Sequence, residues 1–202
     1  FNLSKDFYRY PVQVDELDRG FITQADYLLL DGHYMDASIQ AATWMHNSGK
    51  RVMLDGGKTT ANKLNEQMTA LVALTDILVC GSGFAEALTG EEALQIAGQA
   101  ALGYGPNIVV ITQGEKGCFT FTSSKQFHTP AFDVDVVDTT GAGDVFHGAY
   151  LVGLLKEWDL ETIAIFSSAV SAIECTFLGG RKGIPNFSQV IDFLRDRGIS
   201  VP

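Results

Sequence analysis

The sequence predicts an α/β fold, a three-layer αβα arrangement around a largely parallel twisted sheet, and three observations carry that expectation. Short apolar runs alternate with helical patterns through the first half of the chain. A polar turn then separates two further strand-like runs, and from Gly141 onward the pattern is helical. Tyr27 to Asp31 is a short apolar run ending at Asp31-Gly32. The helical pattern from Ala37 to Asn47 closes at Gly49, a natural C-terminal cap. The unit repeats: Arg51 to Asp55 as strand, Asn62 to Leu74 as helix, Ile77 to Cys80 as strand, Ala93 to Leu102 as helix, Ile108 to Thr112 as strand. Cys118 to Thr122 and Phe127 to Phe132, joined by Ser123-Ser124-Lys125, read as a hairpin on the sheet edge. Three helices follow, over Gly143 to Lys156, Leu160 to Thr176 and Phe187 to Arg195. No repeat or linker marks an internal boundary, so one domain over 1–202 is expected.

Composition narrows the function. Hydrophobic residues make up 46% of the 202 and charged residues 19%, enough for a substantial core. With 14 Lys plus Arg against 24 Asp plus Glu, the net charge is -10, which repels nucleic acid and anionic membrane surfaces overall. The apolar runs are far shorter than the roughly 20 residues of a membrane helix. Cys80, Cys118 and Cys175 lie far apart in apolar stretches without metal spacing, so a reducing, cytoplasmic setting is expected. His33, His46, His128 and His147 show no metal spacing and no arrangement with a serine nucleophile. The opening residue is Phe1, and Lys5 to Pro11 reads as mid-chain strand and loop, so the sequence is expected to be a fragment.

The densest chemical signal is Asp138-Thr139-Thr140-Gly141-Ala142-Gly143-Asp144-Val145-Phe146-His147-Gly148-Ala149. Small residues at 141–143 let backbone N–H groups approach an anion, and the helix behind them points its positive dipole end at the same place. A carboxylate at 144 would repel a bound polyphosphate. The conflict is resolved if Asp144 accepts the proton of an attacking hydroxyl while the amides of Gly141, Ala142 and Gly143 stabilise the transferred phosphoryl group. A positioned base supplies about 10²- to 10⁴-fold in rate. The competing structural account is a carboxylate that merely complements the helix dipole, worth roughly 0.3 to 1 kcal/mol.

This segment resembles the C-terminal signature of the ribokinase-like (PfkB) carbohydrate kinases, D-T-x-G-A-G-D-x-F-x-G, at every defined position, and the resemblance runs through the chain from just after that family's lid. It implies ATP and Mg2+ as cofactors, Asp144 as catalytic base and Gly141 to Gly143 as the anion hole. Thr112-Gln113-Gly114-Glu115-Lys116-Gly117 resembles the nucleotide loop T-x-G-x-x-G, which places Thr112, Gly114 and Gly117 along ATP. Thr176 to Pro185 resembles the closing loop around adenine, with Gly179 and Gly180 as nucleotide contacts and Ser167 on the helix beside the base. In many members a monovalent cation, K+, sits there, and its ligands would be Asp138, Thr140, Gly179 and Gly183. His33 falls where family members touch the sugar; His147 falls at a variable position and reads as packing.

Two departures stand out. The N-x-x-E motif expected before Leu88-Thr89-Gly90 is replaced by Gly81 and Phe84, with Glu86 reading as an exposed residue on a short helix. The N-terminal glycine-rich signature, the lid and most of the sugar site lie outside the sequence, and a homodimer through that lid is the expected partnership. The resemblance implies transfer of the γ-phosphate of ATP to a sugar hydroxyl. The closing Gly-Gly-Arg-Lys-Gly-Ile-Pro is most similar to ketohexokinase-like and sulfofructose-kinase-like members, which makes a ketose or ketose derivative the preferred acceptor. Nucleoside, pyridoxal-type and sugar-phosphate kinases share the same C-terminal half, and a non-catalytic nucleotide- or sugar-sensing homologue would fit the missing N-x-x-E.

Overall fold

The computed structural model describes residues 10–57 and 59–202, so the Lys5 to Arg9 part of the predicted opening strand lies outside the described residues. The described strands are β1 (Tyr27–Leu30), β2 (Arg51–Gly57), β3 (Ile77–Gly81), β4 (Ile108–Thr112), β5 (Cys118–Phe121) and β6 (Gln126–Thr129). They follow sequence order in a six-stranded mixed sheet, mostly parallel, with helices on both sides, which bears out the expected class. The chain divides into two compact units, Phe1–Val109 and Val110–Pro202.

In the first unit, β1 pairs parallel to β2 with Tyr27 opposite Arg51, and β2 pairs parallel to β3 with Met53 opposite Ile77. Every residue of β3 is buried, as expected of a strand covered on both faces. The helices are α1 (Arg19–Ile22), α2 (Met35–Asn47), α3 (Glu66–Ala73), α4 (Ser82–Thr89) and α5 (Leu94–Ala101). Helix α3 begins four residues later than the apolar pattern suggests. Asn65 caps it, its side-chain oxygen accepting the Met68 N–H at 2.8 Å. Phe84, at the position where the N-x-x-E glutamate would stand, is a core residue only 1% exposed, and Gly56 and Gly83 leave no room for a side chain beside the ring and beside the Thr59 carbonyl. Glu86 is exposed on α4, as expected.

In the second unit, β5 and β6 form the expected antiparallel hairpin, Cys118 opposite Thr129 and Phe121 opposite Gln126. The turn is closed by Thr122 N–H donating to the Lys125 carbonyl at 2.8 Å. The strand ends before Pro130, which has no N–H to continue the ladder. Helices α6 (Ala142–Leu155), α7 (Leu160–Glu174) and α8 (Phe187–Arg195) follow; α7 packs on the hairpin, and α6 and α8 pack against α7. Gly153 lets α6 and α7 approach closely, since a Cβ there would lie 2.7 Å from Ile163. Asp159 caps α7 through the Thr162 N–H, and Asn186 with Gln189 forms a reciprocal capping box on α8. Ala149, Phe166, Ala169, Val170, Val190 and Leu194 form the core between these helices.

Candidate active site

The site is built in the second unit, where the turn before α6 meets the loop after α7. Gly141 precedes α6 with φ +85°, a left-handed conformation that favours glycine. A Cβ on Gly141 would lie 3.0 Å from the Gly180 Cα, and one on Gly180 would lie 2.9 Å from the Thr140 carbonyl oxygen. Two backbone segments therefore touch directly, and side chains on either would separate them. Around this contact lies a cleft of about 450 Å³ lined by Thr140, Gly141, Asp144, Leu178, Gly179, Gly180, Arg181 and Lys182. That volume is in the range of small-molecule sites.

Asp138 ties the two segments together. One carboxylate oxygen accepts the Thr140 N–H at 2.9 Å and the other accepts the Gly179 N–H at 2.9 Å. These bonds, led by the Thr140 N–H, hold its carboxyl below the usual range. The N–H groups of Val137 and Asp138 in turn donate to the Cys175 carbonyl, at 2.8 and 3.2 Å, anchoring the turn to the end of α7. The Ser171 hydroxyl donates to the Ala142 carbonyl at 2.8 Å and fixes the first turn of α6.

Among the described residues no side chain caps α6, and exposed Asp144 stands in its first turn. The lining side chains carry one negative and two positive charges, and the helix end adds roughly half a positive charge. The cleft thus sets two cationic side chains and a helix N-terminal end against Asp144, with the Asp138 carboxylate joining its walls.

Of the predicted site residues, Asp144, Gly141, Thr140, Gly179 and Gly180 meet in the cleft. Ala142 and Gly143 form the adjoining first turn, where the Ala142 N–H also donates to the Thr139 carbonyl at 3.3 Å. Asp138 holds the cleft's two walls. Gly183 is buried behind the loop, where a Cβ would be 2.5 Å from the Glu174 carbonyl oxygen. Thr112 ends β4, and Gly114, with φ +58°, opens a short 3₁₀ turn; neither lines the cleft. Gly117 is buried with φ +88°, and a Cβ there would strike the Thr129 carbonyl oxygen at 2.1 Å, so its glycine requirement has a packing cause.

Ser167 is fully buried, and its hydroxyl donates to the Ile163 carbonyl at 2.8 Å. His33 belongs to the first unit, with its ring nitrogen 3.1 Å from the Asp31 carboxylate. His147 is buried and its Nδ1 donates to the Gly143 carbonyl, in keeping with a packing role that also steadies the first turn of α6.

Sequence reasoning left Arg181, Lys182 and Glu174 unassigned. The two cations sit inside the loop it had singled out. Glu174 is the lone charge in the apolar run from Ile163 to Cys175, a pattern that marks a carboxylate turned into the core. It is fully buried, and neither of its oxygens has a hydrogen-bond partner among the described residues. Burial first, then the charges of Asp138 and Asp144, push its carboxyl up.

A profile described as the pfkB family of carbohydrate kinases matches residues 2–186. The chain belongs to that family. A ribokinase of Haemophilus influenzae is 32% identical over 179 residues, covering 86% of this chain and 57% of that relative. A fructokinase-2 of Zea mays is 38% identical over 97 residues, covering 45% of this chain and 29% of the relative. The solved structure of Arabidopsis thaliana ribokinase complexed with ribose and ATP is 25% identical, with a TM-score of 0.78, over 87% of this chain and 58% of that one. This PfkB-family chain therefore spans less than two thirds of the length of these relatives. Among the described residues no helix is long and apolar enough to cross a membrane.

Proposed function

We propose that the protein of which this chain is part phosphorylates a sugar hydroxyl with ATP, using the cleft between the α6 turn and the 178–182 loop. The observation that carries this reading is the presence in one cleft of Asp144, the glycine turn and the two cations Arg181 and Lys182. A polyphosphate needs the amides and the positive charge; only proton transfer gives the carboxylate a purpose there.

In this reading Asp144 takes the proton of the acceptor hydroxyl as its oxygen bonds to the γ-phosphorus, and the bond from that phosphorus to the bridging oxygen of ADP breaks. The amides of Gly141, Ala142 and Gly143 hold charge on the moving phosphoryl group, and Gly179 and Gly180 bring the closing loop onto the nucleotide. ATP enters as its magnesium complex, as general phosphoryl-transfer chemistry requires. Thr112, Gly114 and Gly117 remain proposed nucleotide contacts, and His33 a proposed contact to the sugar. A monovalent cation, potassium in the first instance, is proposed to sit at Asp138, Thr140, Gly179 and Gly183. Asp138 fits that role as a hard oxygen donor, because one of its oxygens faces the Thr140 segment and the other the Gly179 segment that would supply the remaining ligands.

The relatives' names cover ribokinase and fructokinase, and the resemblance of the closing loop supports a ketose or ketose derivative as acceptor. The buried thiols of Cys80, Cys118 and Cys175, which form no disulfide among the described residues, support a reducing, cytoplasmic setting. An ADP-release assay on the full-length protein across ketoses, aldoses, sugar phosphates and nucleosides tests the proposal. Turnover with a ketose is expected. Turnover on an aldopentose or nucleoside alone would overturn the acceptor, and ATP binding without release on any acceptor would overturn the reaction.

A further inference from the structure

Glu174 ends α7 with its side chain wholly out of solvent and both carboxylate oxygens unpartnered among the described residues. A buried ionised carboxylate without a counter-charge is strongly disfavoured, and the neighbouring Cys175 thiol, which lies within hydrogen-bonding reach of it, brings no positive charge. The two nearest acidic influences, Asp138 and Asp144, make matters worse.

What surrounds the residue points to its partner. The next residue's carbonyl, that of Cys175, accepts the N–H groups of Val137 and Asp138. Gly183 lies against the Glu174 backbone so closely that a Cβ would come within 2.5 Å of its carbonyl oxygen and 2.8 Å of its Cα. Glu174 thus sits where the Asp138 segment and the far end of the 179–183 loop converge, and both segments supply oxygen ligands in the proposed cation site.

We propose that the Glu174 carboxylate is a second anionic ligand, with Asp138, of a hard cation held beneath the 179–183 loop. This rests on reading the Asp138 loop as a cation seat, and it changes that seat's character. Two carboxylates and backbone carbonyls form an all-oxygen set of the kind that takes potassium, sodium or calcium rather than a thiophilic metal. The cation supplies the counter-charge that no side chain provides, and it ties α7 to the loop that closes the cleft.

The test is the thermal midpoint of the full-length protein, without substrate, titrated with KCl, NaCl or CaCl2 against choline chloride at matched ionic strength. A saturable rise with at least one of these cations is expected in the wild type. In Glu174→Gln the half-saturating concentration of that cation should increase at least tenfold, while the midpoint in choline chloride stays equal or higher because a buried like charge has been removed. A wild type with no cation response beyond choline, or a Gln variant with the wild-type half-saturation, overturns the proposal. Should Gln not fold, Glu174→Asp, which keeps the charge and shortens the reach, is titrated in its place, with the at least tenfold increase in half-saturating concentration as the sole criterion. ADP release measured in parallel separates this outcome from the kinase reading: a cation response through Glu174 without turnover on any acceptor refutes the reaction and leaves the site standing.

Discussion

Replacing Gly141 by Ala attacks the contact on which the cleft depends, and its cost can be worked out against two neighbours. Gly141 and Gly179 are both left-handed, with φ +85° and +83°. A Cβ on Gly179 would meet nothing within 4 Å, whereas one on Gly141 would meet the Gly180 Cα at 3.0 Å and its carbonyl oxygen at 3.1 Å. Gly179→Ala therefore bears only the left-handed penalty of an L-residue, about 1 to 2 kcal/mol. Gly141→Ala bears that penalty plus overpacking against backbone, about 1 to 3 kcal/mol more. Gly180→Ala has no left-handed penalty, and its Cβ would sit 2.9 Å from the Thr140 carbonyl oxygen, so it isolates the overpacking share of about 1 to 3 kcal/mol. Urea unfolding of the three variants measures the differences, and ADP release reports whether the walls have moved. Gly141→Ala within about 0.5 kcal/mol of Gly179→Ala, roughly the scatter expected for independent sites, would refute the backbone-on-backbone contact.

Other consequences follow from the same geometry. Ser167→Ala should leave the KM for ATP within about twofold of wild type and cost about 0.5 to 1.5 kcal/mol of stability, the usual worth of one internal hydrogen bond; a large rise in KM would instead establish the nucleotide role. Asp138 has its folded pKa depressed, so its contribution to stability is complete above its unfolded value near 4 and is lost as pH falls through the lower folded value. Thermal midpoints measured from pH 6 downward should show an acid-side loss that is smaller in Asp138→Asn, and identical acid limbs would count against the clasp.

Much of the fold was legible because it rests on local rules. The strand at 108–112 and the helix at 187–195 have the predicted bounds, the latter because Asn186 and Gln189 form a capping box at one end. Helix α3 starts later than its apolar pattern because the Asn65 cap, a backbone hydrogen bond rather than a periodicity, sets its beginning. The glycine turn and Asp144 stand out by residue type and spacing. The 178–182 loop was joined to them only through the family resemblance, since it reaches the turn across some forty residues of chain through contacts between backbones. The burial of Ser167 was not legible either, since a serine on a helix looks polar from sequence while its hydroxyl donates to the carbonyl four residues back. Glu174 was passed over although its place as the lone charge between Ile163 and Cys175 was a signal of burial; what lies around it, the Asp138 segment and Gly183, is distant in sequence.

The central claim is that Asp144 is a base and not a dipole partner. It is tested most directly by kcat for ADP release in full-length Asp144→Asn, with ATP affinity measured alongside. The account predicts a fall of about 10²-fold or more with ATP affinity little changed; turnover equal to wild type would contradict it.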